Sequence, residues 1–66
     1  MSTSLAPPVI QAGKIKSFGA VGPRYEVCRM LRQLQDGDWM VAIRIVETGE
    51  MTEYRLSHLT GDPDAR

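Results

Sequence analysis

Sixty-six residues carrying eight Lys plus Arg, eight Asp plus Glu and no net charge make room for one small domain, which at this size buries only about 60% of the surface its unfolded chain exposes. One cysteine, Cys28, and one histidine, His58, exclude an intrachain disulfide framework and a structural zinc site built from four Cys or His ligands. Residues 1–32 hold Lys14, Lys16, Arg24, Arg29 and Arg32 against Glu26 alone, while 33–66 hold three arginines against seven acids, a split that folding largely neutralises when the two halves interleave.

Residues 1–8 are small, polar or proline, without charge or period, and read as a disordered tail ahead of a single domain over 9–66. Pro7-Pro8 and the lack of a basic leader argue against a signal peptide, and the longest apolar run, Trp39 to Ile43, is too short to span a bilayer. A cytoplasmic protein with no membrane partner is therefore expected. Further along, Ile15 lies between Lys14 and Lys16, an alternation that fits a short half-buried strand, and Gly19, Gly22 and Pro23 break it.

Tyr25 to Leu34 supports two assignments. Val27, Met30, Leu31 and Leu34 recur at helical spacing, with Asp36-Gly37 as a stop. Against this, Tyr25-Glu26-Val27 alternates, and Gln35-Asp36-Gly37-Asp38 is a hairpin turn leading into the next strand. Asp38 to Leu56 reads as a hairpin turning at Thr48-Gly49: Trp39, Val41, Ile43 and Ile45 alternate with Met40, Ala42, Arg44 and Val46. Setting Glu47 opposite Glu50 pairs Ile43 with Tyr54 and Arg44 with Glu53. Ser57 to Leu59 fits one 3₁₀ turn, and Gly61-Asp62-Pro63 another turn before a frayed end. The fold class is thus all-β, a small SH3-like barrel or a strongly curled antiparallel meander; the alternative is α+β with one helix at about 25–35.

The runs Gly13-Lys14-Ile15-Lys16-Ser17-Phe18-Gly19, Gly22-Pro23-Arg24-Tyr25-Glu26-Val27, Asp36-Gly37-Asp38-Trp39, Val46-Glu47-Thr48-Gly49-Glu50 and Glu53-Tyr54-Arg55-Leu56-Ser57-His58-Leu59 resemble a family of short bacterial proteins described only as a domain of unknown function. The resemblance covers about residues 9–65 and implies a bacterial origin, with no activity, cofactor or catalytic residue. In architecture the pattern is similar to SH3-like small barrels, including the plasmid-borne dihydrofolate reductase that works as a homotetramer; none of that enzyme's active-site motif is present, and likeness of fold does not give function.

No arrangement for catalysis, cofactor or metal stands out. Ser57 and His58 are neighbours that point to opposite sides of a strand, and Cys28 reads as a small hydrophobe. Asp36 and Asp38 have the spacing a turn asks for, and the glycines form no phosphate-binding loop. Tyr25, Trp39, Met40, Met51 and Tyr54 are residue types enriched at protein contacts and are the interaction candidates. With no staple available, such contacts are expected to serve self-association into a homo-oligomer. Lys14, Lys16, Arg24, Arg29 and Arg32, interleaved with Phe18 and Tyr25, are the candidates for nucleic-acid binding. The expected function is a non-enzymatic interaction module; the alternatives are a nucleic-acid-binding accessory protein and an oligomeric enzyme with its site between subunits.

Overall fold

The computed structural model describes residues 8–65, so all but one residue of the expected N-terminal tail lie outside the described residues. Four strands, β1 (Ile15–Ser17), β2 (Arg24–Gln33), β3 (Trp39–Ile45) and β4 (Met51–Arg55), are followed by one helix, α1 (Leu56–Gly61). Each strand pairs antiparallel with the next, in the order β1-β2-β3-β4. This is the all-β meander expected from the alternation, left open because β1 and β4 do not pair with each other.

The helix considered at about 25–35 is absent: that stretch is β2, the longest strand. Its apolar spacing mimics a helix because the strand carries two bulges. Val27 faces Ile43 and Arg29 faces Ala42, leaving Cys28 without a partner; Met30 faces Val41 and Arg32 faces Met40, leaving Leu31 without one. Each extra residue advances the phase by one. Val27, Met30 and Gln33 therefore share one face of the sheet, and Glu26, Arg29 and Arg32 the other.

The two hairpin turns follow from their glycines. Leu34 N donates to Asp38 O at 2.7 Å and Gly37 N to Leu34 O at 3.0 Å, with Gly37 at φ 91°, a three-residue loop whose last position requires the left-handed backbone glycine adopts freely. Between β3 and β4 the loop spans four residues: Ile45 N donates to Glu50 O at 2.8 Å and Gly49 N to Ile45 O at 2.7 Å. This sets Ile43 opposite Thr52, Val41 opposite Tyr54 and Arg44 opposite Met51. The expected register is thus displaced by two residues, which preserves the face of every side chain but changes its partner. Arg44 bonds Glu26 on β2 instead of Glu53, with its Nη2 2.6 Å from Oε1.

The core lies between the inner face of the sheet and α1. Tyr25, Val27, Val41, Ile43 and Leu59 are buried, with Ile10, Phe18, Met30, Ile45, Tyr54 and Leu56 packed around them. The expected 3₁₀ turn is a six-residue α-helix. Its own N-cap, Arg55, makes no side-chain capping bond. Asp38, from the β2–β3 turn, supplies the cap instead: Ser57 Oγ donates to its Oδ2 at 2.6 Å and Ser57 N to its Oδ1 at 3.2 Å. After α1 the chain turns at Asp62-Pro63 and lies along β1, with Ser17 N donating to Pro63 O at 3.1 Å and Ala65 N to Ile15 O at 2.8 Å. The outer edge of β1 is thereby covered.

Candidate functional site

Polar side chains at three places hold the segments together. At the first, the hydroxyls of Tyr25 and Tyr54 donate to the same oxygen, Asp62 Oδ2, at 2.8 and 2.9 Å, while Gly19 N donates to Oδ1 at 3.2 Å. Phe18 completes the cluster with ring centroids 4.5 Å from Tyr25 and 5.1 Å from Tyr54. Burial works against the Asp62 charge, but the two tyrosines, Gly19 and the Lys16 charge outweigh it and hold its pKa below the usual carboxylate range. Burial, followed by the bond to Asp62, pushes the Tyr54 hydroxyl up to about 12 and the Tyr25 hydroxyl higher still.

At the second, Arg55 Nη1 donates to Asp36 Oδ2 at 2.7 Å and lies 3.4 Å from Asp38 Oδ2. Asp38 is drawn down to about 2, chiefly by the bond from the Ser57 hydroxyl and then by Trp39 N. At the third, Asp64 receives Lys14 Nζ at 3.1 Å and Lys16 Nζ at 3.2 Å. Asp62 and Asp64 carried no motif in the sequence. The signal available was indirect: a buried tyrosine hydroxyl needs an acceptor, and the chain has two such tyrosines near one helix.

The interaction candidates fall at three places. Tyr25 lies wholly in the core and Tyr54 is half-buried beside it, their rings 5.5 Å apart. Trp39 is half-buried at the far end of the inner face, opposite Gln33 and outside the core cluster. Met40 and Met51 point to the outer face, in line with Arg32 and Arg44 respectively, and Met51 is 54% exposed.

The nucleic-acid candidates do not form an uncompensated patch. Lys14 and Lys16 share Asp64, Arg24 lies 3.6 Å from Glu47, and Arg32 bonds Glu53 at 2.8 Å. Arg29 makes no ion pair among the described residues. Also among them, no group of three or more His, Cys, Asp or Glu is placed to hold a metal ion, and no helix is long and apolar enough to cross a membrane.

The strand edges differ in a way that bears on contacts. The Ile45–Glu50 bond and the alternation of an antiparallel ladder direct Thr52 and Tyr54 toward β3, so the N–H and C=O groups of Met51 and Glu53 face outward. No described segment pairs with that edge, and Met51, Thr52 and Glu53 are all exposed.

Fold and surface together define a small open β-meander with one covered edge and one free edge. The chain belongs to a family of unknown function, DUF5397, whose model matches residues 3–66. An uncharacterised protein of Haemophilus influenzae is similar, 46% identical over 56 residues that cover 85% of this chain and 89% of that protein.

Proposed function

We propose that this chain is a bacterial, cytoplasmic, non-enzymatic interaction module that self-associates by joining β4 of one copy to β4 of another. The observation that carries the reading is the contrast between the two edges: residues 63–65 cover β1, while β4 leaves the main-chain groups of Met51 and Glu53 open. An open edge is a template for further strand pairing, and a chain of this size gains proportionally more than a larger one from any additional buried surface.

A two-fold axis at Thr52 favours the pairing. It sets Thr52 against Thr52 and Met51 against Glu53, whereas centring on Glu53 would bring like charges face to face. Light scattering across a concentration series to roughly 1 mM tests the reading. The mass should rise from the 7.4 kDa of one chain toward twice that value. Met51→Glu, which sets a like charge opposite Glu53 of the other copy without removing a described hydrogen bond, should keep the protein monomeric. A wild-type mass that stays monomeric throughout refutes self-association.

A further inference from the structure

A cleft of about 300 Å³ opens between the segment at Val9–Gln11, β1, β2 and α1, at the lower end of the range in which small ligands bind. Ile10, Val27, Leu56 and Leu59 line it with aliphatic surface, and Lys14, Lys16 and Asp64 form a polar part of the same wall. Two ammonium groups there share the single carboxylate of Asp64, Lys14 on Oδ2 and Lys16 on Oδ1. The Lys16 side chain is only 11% exposed, whereas that of Asp64 is 62% exposed. A cation withdrawn from water is thus paired with an anion still largely in water.

We infer that this cleft binds an aliphatic monocarboxylate, whose carboxylate bridges Lys14 and Lys16 in place of Asp64 while its alkyl chain lies against Ile10, Val27, Leu56 and Leu59. Charge complementarity selects the head group: two donors already arranged around one carboxylate accept another carboxylate without rearrangement. The aliphatic lining selects the tail and disfavours a bare inorganic anion, which would gain nothing from it. Asp62 also feels the Lys16 charge, but Tyr25 and Tyr54 hold it in place; Asp64 is the exchangeable partner. The bonds from Ser17 N to Pro63 O and from Ala65 N to Ile15 O are main-chain bonds, so the terminal segment remains on β1 when Asp64 is displaced. The site is separate from the β4 edge, and its test is independent of self-association.

The experiment is an amide ¹H–¹⁵N titration of the full chain with sodium octanoate, with octan-1-ol as the uncharged comparison. Saturable shifts should concentrate at Ile10, Lys14, Lys16, Val27 and Leu59. Octanol should bind about ten-fold more weakly, as should octanoate to Lys14→Gln, each lacking one side of a charge-assisted bond. Asp64→Asn, which removes the internal competitor, should tighten octanoate binding. Lys14 is partly exposed, so its variant keeps the test usable if Lys16→Gln fails to fold. Shifts that never saturate, equal binding of octanol, an unaffected Lys14→Gln or a weakened Asp64→Asn would each overturn the assignment.

Discussion

Replacing Asp62 with alanine removes the acceptor shared by Tyr25, Tyr54 and Gly19. The Tyr25 hydroxyl is left without a protein partner on a residue with no exposed surface, while that of Tyr54 is half-buried and can recover water in part. Hydrogen bonds to a charged group contribute about 1.5–3 kcal/mol each; after allowing for water at Tyr54, the expected loss is about 2–4 kcal/mol. A single core in a chain this short supplies roughly 3–5 kcal/mol, so most of the stability is removed. Urea unfolding followed by circular dichroism at neutral pH measures the loss directly. Combining Asp62→Ala with Tyr54→Phe should cost less than the two changes added, because Tyr54→Phe removes a hydroxyl that Asp62→Ala has already deprived of its acceptor. A loss below about 0.5 kcal/mol, or simple additivity, would refute the role given to this carboxylate.

Gly22→Ala should destabilise by about 1–3 kcal/mol, because a Cβ there would lie 2.0 Å from Phe18 O and 2.8 Å from Phe18 Cβ. Gly61→Ala, with nothing within 4 Å, should be neutral or stabilising by up to about 1 kcal/mol; thermal melts of the pair separate crowding from a general intolerance of alanine. Asp38, Asp62 and Asp64 have pKa values lowered by folding, so their stabilisation is complete above an ordinary aspartate pKa of about 4. It is lost as pH falls through the lowered values, which for Asp38 is about 2. The Tyr54 hydroxyl, raised to about 12, acts in the opposite direction: its contribution is complete below about pH 10 and lost as pH rises through 12. Melting temperature against pH should therefore decline at both extremes, and a melting temperature unchanged from pH 4 to 2 would contradict the three aspartate assignments. In a Cys28→Ser background, Thr52→Cys should oxidise to a disulfide dimer more readily than Glu53→Cys, because residues at the two-fold axis lie within disulfide range. The reverse order would reject the Thr52-centred register.

The parts of the fold that were legible in the sequence depended on period-two alternation. Trp39, Val41, Ile43 and Ile45 define one face of β3 by pattern alone, and Asp36-Gly37 marks the turn that precedes it. β2 was ambiguous for a physical reason: two bulges place Val27, Met30 and Gln33 on one face at intervals of three, a spacing that also suits a helix. The β3–β4 register was displaced because Thr48-Gly49 suggests a two-residue turn, whereas Gly49 takes its φ of 75° at the end of a four-residue loop. The candidate surfaces were less legible. Residue type nominated Tyr25 as readily as Met51, and only packing distinguishes a buried ring from an exposed thioether. Asp62 lies 37 residues from Tyr25 and Asp64 lies 48 from Lys16, and no local pattern announces such contacts.

The bulges in β2 also specify where this chain tolerates a change in length. Deleting Cys28 or Leu31 removes a residue that has no partner on β3, so every other side chain of the strand keeps its present face and a flatter, less twisted strand results. Deleting Ala42 from β3, every residue of which is paired with β2, instead inverts the remainder of that strand relative to the core. Relatives that differ by one residue in this region are therefore expected to differ at the bulges.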